Sequence, residues 1–226
     1  HTAVVTSGGR YSNVIYVYDG SGKWLYTQRF IDDNVMQAVF SDDNRYLYVT
    51  RVTSDNGDIV TKLSKYDLSG DGTELWSQSL SDCVSLALGI DGNTLTVTGD
   101  NIMATYNSDS GEIIGSYSYQ EKIENIDTSS SLKVFVFDDY TDDGKKIVLL
   151  NDKCEMTASV AVSADVKQIK VNGNSIFVMT ESDITQYDST LKSVKKTLLT
   201  DSYSDFITVG GSVLLMGYDV VDSISL

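Results

Sequence analysis

The chain is built on an internal repeat. A short β-rich run ending in Tyr-Asp, a Gly/Ser turn and a second apolar run occur as VIYVYDGSGKWLYTQRF from Val14 and again as LSKYDLSGDGTELWSQSL from Leu63. Looser copies are MATYNSDSGEIIGSYSY from Met103, IVLLNDKCEMTASVAV from Ile147 and ITQYDSTLKSVKKTLL from Ile184. The anchors Tyr18, Tyr66, Tyr106, Leu150 and Tyr187 stand 48, 40, 44 and 37 residues apart. A period of about 40–45 residues is that of one four-stranded propeller blade. One such unit cannot bury its apolar face alone, so the repeat calls for sheets stacked on a shared core.

The stretches between anchors read as further hairpins. VMQAVFSDDNRYLYVTRV follows Phe30, VSLALGIDGNTLTVTGD follows Cys83 and VKQIKVNGNSIFVMTES follows Asp165. Asp91-Gly92 and Asn172-Gly173 sit between alternating apolar runs, where both turn residues tolerate positive φ. Helical periodicity is missing. The acids agree: only six of the 32 are glutamates, and aspartate favours turns.

Lettering the strands A to D outward gives blades at 2–30, 34–80, 83–119, 122–162, 166–199 and 205–226, within one domain spanning 1–226. The first group supplies B, C and D; the last supplies A, B and C. These ends overlap rather than complement. The expected fold is all-β: a β-propeller of five to six four-stranded antiparallel blades, as an open arc or a piece of a larger ring.

The outer hairpin resembles the pyrroloquinoline-quinone-type propeller repeat through Asp19, Gly22 and Trp24, and through Asp67, Gly72 and Trp76. The inner hairpin FSDDNRYLYVT from Phe40 is similar to that of WD40-like and lactonase-like propellers. The whole resembles membrane-anchored extracellular propellers of Gram-positive bacteria. The family's quinone enzymes use adjacent cysteines, a stacking tryptophan and a calcium site. Cys83 and Cys154 are far from adjacent, so no cofactor is carried over. Trp24 and Trp76 fall at one D-strand repeat position, which places both between blades.

Catalytic motifs are missing. The lone histidine is His1, which leaves neither cysteine an internal base and no zinc set. Two free thiols are expected, because Cys83 opens an inner strand and Cys154 lies in a C–D turn. No metal site is expected either. The net charge of −15 disfavours nucleic acid and favours cationic partners. No apolar run of about 18 residues exists to span a membrane.

The B–C connections TSGGRYSN from Thr6, VTSDNGD from Val52 and FDDYTDDGK from Phe137 form the candidate binding face. Its ligand-binding candidates are Tyr11, Asp55, Asp58, Asp138, Asp139, Tyr140 and Asp142. Two readings compete. One is a non-enzymatic interaction domain displayed outside the cell, anchored through a segment outside this chain, with a protein or glycan ligand. The other is a metal-assisted, lactonase-like hydrolase using channel aspartates. The first is favoured.

Overall fold

The computed structural model describes residues 1–70, 72–139, 144–209 and 212–225, with the Asp139 side chain also outside the description. Every described element is a strand, and no helix occurs among these residues. Two compact units emerge, His1–Ser118 and Tyr119–Leu226.

The first unit holds three antiparallel meander sheets. A three-stranded sheet comprises β1 (Thr2–Gly8), β2 (Tyr11–Tyr18) and β3 (Trp24–Phe30). A four-stranded sheet follows with β4 (Asn34–Phe40), β5 (Tyr46–Asp55), β6 (Asp58–Asp67) and β7 (Glu74–Ser81). The next has β8 (Ser85–Asp91), β9 (Thr94–Gly99), β10 (Ile102–Asn107) and β11 (Ile113–Ser118).

The second unit mirrors this count. It has β12 (Lys122–Asp127), β13 (Lys133–Asp139), β14 (Gly144–Leu150) and β15 (Met156–Val162), then β16 (Gln168–Asn172), β17 (Ser175–Met179), β18 (Asp183–Tyr187) and β19 (Ser193–Leu198). A three-stranded sheet of β20 (Tyr203–Val209), β21 (Ser212–Gly217) and β22 (Val221–Ser225) ends it. The expected four-stranded antiparallel blades are therefore present, with three-stranded sheets first and last.

Burial follows strand position. Middle strands are covered on both faces and read as continuous runs, as in Ile147–Leu150, where every residue is fully buried. Outer strands alternate, as in β7 and β15. Neighbouring sheets pack face to face within each unit. Ile15 and Val17 meet Leu47 and Val49, while Tyr48 and Leu63 meet Leu95 and Val97. In the second unit Val134 and Val136 meet Ile176 and Val178, and Phe177 and Met179 meet Phe206 and Val213.

The Tyr-Asp anchor of the repeat has a physical reason. The Asp19 carboxylate accepts the Ser21 and Lys23 amides at 2.8 and 2.9 Å, folding the C–D turn back on itself. Asp67, Asn107, Asn151 and Asp188 do the same at their own turns. The three aspartates are held below the usual carboxylate pKa, chiefly by the hydroxyls of Ser21, Ser69 and Thr190. Each turn then needs one residue at positive φ: Gly22, Gly72, Gly111, Cys154 and Leu191.

The two tryptophans part company. Trp76 lies against Tyr48 and over Gly111, and its indole donates to the Asp109 carbonyl at 3.1 Å. Trp24 is 57% exposed, against the expectation that both pack between sheets. Strand register explains it. Lys65 faces Trp76, but the matching residue of the first sheet, Val17, faces Tyr26. Tyr26 takes the inter-sheet place, covering Gly72 and donating to its carbonyl at 3.1 Å. Burial, with Glu74 adding repulsion, pushes the Tyr26 phenol up to about 12. Cys83 and Cys154 are both buried and are not bridged to each other.

Candidate functional site

In each meander sheet the B–C and D–A loops lie at the same strand ends. In the first unit these loops enclose a cavity of about 330 Å³. Its walls carry Asp58 from the B–C hairpin of the second sheet, Asp82 from the following D–A loop and Asp100 from the next B–C loop.

Local chemistry sets each one. Asn56-Gly57 forms a two-residue hairpin with both φ values positive, so β5 and β6 run straight to the tip and Asp55 stands opposite Asp58. The VTSDNGD segment is thus a projecting hairpin, not the long loop its composition implied; Asn-Gly was the available signal. Asp82 sits at φ 52°, and its carbonyl accepts the Asn101 side-chain amide at 2.6 Å. The Asp100 carboxylate accepts the Val84 amide at 2.9 Å. These bonds tie the D–A loop to its neighbouring B–C loop.

The floor is apolar. The buried Cys83 lies where any side chain at residue 99 would go, with the Gly99 Cβ position 2.1 Å from its sulfur. Burial and the nearby Asp100 push the thiol pKa up, which keeps it protonated and unreactive. Among the described residues, no lysine or arginine forms an ion pair with Asp58, Asp82 or Asp100. No group of three or more His, Cys, Asp or Glu suited to a metal ion occurs among these residues either.

The remaining candidates divide between the units. Tyr11 lies just past the Gly8-Gly9 turn, with the Arg10 and Arg29 guanidinium groups 5.7 and 5.8 Å from its ring centroid. In the second unit Asp138 stands between Lys122 and Lys145 across the sheet. Lys145 bridges Glu124 at 3.1 Å and Asp165 at 3.5 Å, and Lys122 bridges Glu124 at 3.0 Å. Glu124 is held below the usual carboxylate range by those two lysines. Tyr140 and Asp142 lie outside the described residues, as does the Asp139 side chain.

The second unit has its own cavity on the corresponding loop edge, of about 230 Å³. Asp183 is 6% exposed within it and bound by Lys196 at 3.0 Å, Ser182 at 3.1 Å and Thr185 at 3.2 Å. Burial works against its ionisation, but these partners outweigh it and hold the carboxyl low. Nothing in the sequence pattern marked Asp82, Asp100 or Asp183, because their roles depend on loops distant in the chain.

These three- and four-stranded antiparallel meanders have the β-propeller fold. It is similar to BamB from Moraxella catarrhalis, with a TM-score of 0.62, 14% identity, 98% of this chain covered and 66% of that one. The WD40 domain of Toxoplasma gondii coronin gives 0.65, 12%, 99% and 67%. Kluyveromyces lactis Hsv2 gives 0.61, 14%, 94% and 67%. The chain thus spans about two thirds of the length of these structures. By sequence it belongs to the family of unknown function DUF5711, which it matches over residues 1–226. No curated protein matches it in sequence. No described helix is long and apolar enough to cross a membrane.

Proposed function

We propose that this propeller is a non-enzymatic interaction domain, displayed at the cell surface, that holds a cationic group of a protein partner on its B–C and D–A loops. The observation that carries this reading is the cavity whose carboxylates, Asp58, Asp82 and Asp100, are left without a basic partner among the described residues. A lysine or arginine entering it would supply that charge, and the −15 net charge would speed its approach. The wider surface takes in Tyr11, Asp55 and Asp138 with Asp139, Tyr140 and Asp142. Propellers of the WD40 and BamB type provide the fold-level support. Residues 1–226 act as one domain in this reading and unfold in a single transition.

The test is a D58N/D82N/D100N triple variant. Asparagine keeps the Oδ1 acceptor at residue 100 and tolerates positive φ at residue 82. Three exposed pairs at roughly 0.5 kcal/mol each predict about tenfold weaker binding of a Lys/Arg-rich peptide and a shallower salt dependence. Unchanged affinity and salt slope would overturn the reading. A stoichiometric divalent metal bound at these three residues would replace it with the metal-assisted hydrolase.

A further inference from the structure

The C–D strand pairs of the first five sheets keep one register, so residues at the same repeat place can be compared directly. Four places before the anchors Tyr18, Tyr66, Tyr106, Leu150 and Tyr187 stand Val14, Lys62, Ile102, Lys146 and Asp183. Two are aliphatic, and Asp183 is the one acid. On the facing D strands, Thr27, Ser77, Ser116 and Ser159 hold the place that Lys196 takes in the fifth sheet. The fold therefore forms here with an aliphatic residue and a hydroxyl, and it does not need a carboxylate and an ammonium.

Asp183 is nonetheless 6% exposed. A buried ion pair adds little to stability beside apolar residues of the same volume. A departure from local consistency of this kind marks a place for function. Asp183 lies in the wall of the 230 Å³ cavity of the second unit. Ala161, Val162 and Ala164 line that cavity from the preceding sheet and its D–A loop, and Val166 and Val178 complete the apolar wall. Asp183, Thr185 and Tyr187 alternate along β18, so they share one face, and Lys196 reaches across from β19.

The hydrogen-bonding capacity of these groups is only partly used. Ser182 and Lys196 donate to Asp183 Oδ2, and Thr185 donates to Oδ1. An ionised carboxylate accepts about four bonds, so one place remains. The Lys196 ammonium has further donors beyond the one Asp183 takes, and its side chain is 58% exposed at the cavity. The Tyr187 hydroxyl has no hydrogen bond to a described residue, and burial raises its pKa, which keeps it able to donate.

Charge narrows the ligand. The Asp183–Lys196 pair is neutral as a whole. A cation would have to displace Lys196, and an anion would be set against Asp183. The open groups are an acceptor and a donor side by side, with a phenol next to them and an aliphatic wall behind. Adjacent hydroxyls of a sugar ring both donate and accept, and the C–H face of the ring suits the valines. We propose that this cavity is a subsite for one neutral sugar ring, in which one hydroxyl donates to the Asp183 carboxylate and its neighbour accepts from the Lys196 ammonium. The site is separate from the acidic cavity and does not depend on that reading.

The test uses the 226-residue chain, with binding followed by calorimetry and amide shifts. The probes are glucose, galactose, mannose, fucose and N-acetylglucosamine, each free and as its methyl glycoside. Acetate and N-acetyl-lysine amide are the charged comparators. At least one sugar should bind saturably with a Kd of about 1 mM, with shifts confined to residues 161–166, 178–187 and 196. Binding of a methyl glycoside assigns a glycan end, and binding of the free sugar alone assigns a monosaccharide; either supports the subsite. Tyr187→Phe keeps the ring and should weaken binding about fivefold, the loss of one hydrogen bond. D183V/K196T copies the first sheet and should abolish binding with the melting curve in place. D58N/D82N/D100N should leave sugar binding unchanged, so failure of the acidic cavity and failure of this site are told apart. The proposal is overturned if no sugar shifts these residues, if either variant of this site binds as tightly as the wild type, or if a charged comparator binds here more tightly.

Discussion

The C–D turns of the two units reach the same geometry with different residues. In the first unit glycine takes the positive-φ position at Gly22, Gly72 and Gly111, and over two of them lies an aromatic ring from the preceding sheet. In the second unit Cys154 and Leu191 take it, at φ 61° and 59°, and their side chains turn inward to 4% and 6% exposure. The D-strand residues that correspond to Tyr26 and Trp76 differ accordingly. Ala158, from the sheet preceding Leu191, faces Leu149 and packs in one cluster with Leu191, so no ring fills that place at the Leu191 turn. The Asx hydrogen bonds fix the turn, and the neighbouring sheet decides whether a side chain is forbidden or wanted there.

Breaking the glycine solution should have the largest effect. A Cβ on Gly72 would fall 1.8 Å from the Tyr26 ring, while one on Gly22 meets open space. G72A should cost about 3–5 kcal/mol, from overpacking plus left-handed strain, and G22A only about 1–2, from strain alone. Urea denaturation of the two variants separates these terms; equal losses would mean the ring yields freely.

The second unit inverts the rule. L191A removes a buried aliphatic chain and should cost about 2–4 kcal/mol. L191G should be more stable than L191A by up to about 1 kcal/mol, because glycine releases the positive φ. The reverse order would show that strain at Leu191 is negligible.

A smaller contrast lies between the tryptophans. W76A should cost roughly 2–3 kcal/mol through lost packing on Tyr48 and Gly111, and W24A within about 0.5. Thermal or urea unfolding reads both; parity would restore the shared repeat position that composition implied.

The acid response is the mildest. The folded pKa values of Asp19, Asp67 and Asp188 lie below the unfolded ones, so their contribution is complete above about pH 4 and fades as pH falls through the folded values. Asn107 and Asn151 cap their turns without titrating. A D19N/D67N/D188N variant should therefore fold at neutral pH and lose less stability than the wild type between pH 5 and about 2.5. An unchanged slope in denaturation midpoints would remove these caps from the acid response.

The loop edges differ between the units as well. Asp58, Asp82 and Asp100 line one cavity without a described basic partner, whereas Asp183 is bound by Lys196, and Asp138 stands across the sheet from Lys122 and Lys145, whose ion pairs go to Glu124 and Asp165. A count of aspartates showed an acidic face but could not show where lysines compensate it. Among the candidates whose side chains are described, Asp55 and Asp58 are brought together, and they meet through a hairpin that Asn56-Gly57 specifies locally.

The repeat, its turns and the class of sheet were legible in the sequence by itself, because they rest on local chemistry. A Tyr-Asp anchor, a turn residue and an apolar run act within about ten residues of chain. What only the tertiary structure decided depends on contacts between sheets. It replaced Trp24 by Tyr26 in the inter-sheet place, since Tyr18 pairs with Trp24 across a C–D turn two residues shorter than the one that pairs Tyr66 with Glu74, while the bulge beside each anchor is the same. It buried Lys65 at a core position by giving its ammonium the Ser108 carbonyl at 2.9 Å and the Tyr46 ring at 3.9 Å. It brought Asp58, Asp82 and Asp100 to one cavity from three loops. Those outcomes turn on which side chains and edges meet across sheets, and residues far apart in the chain carry no local signal of that meeting.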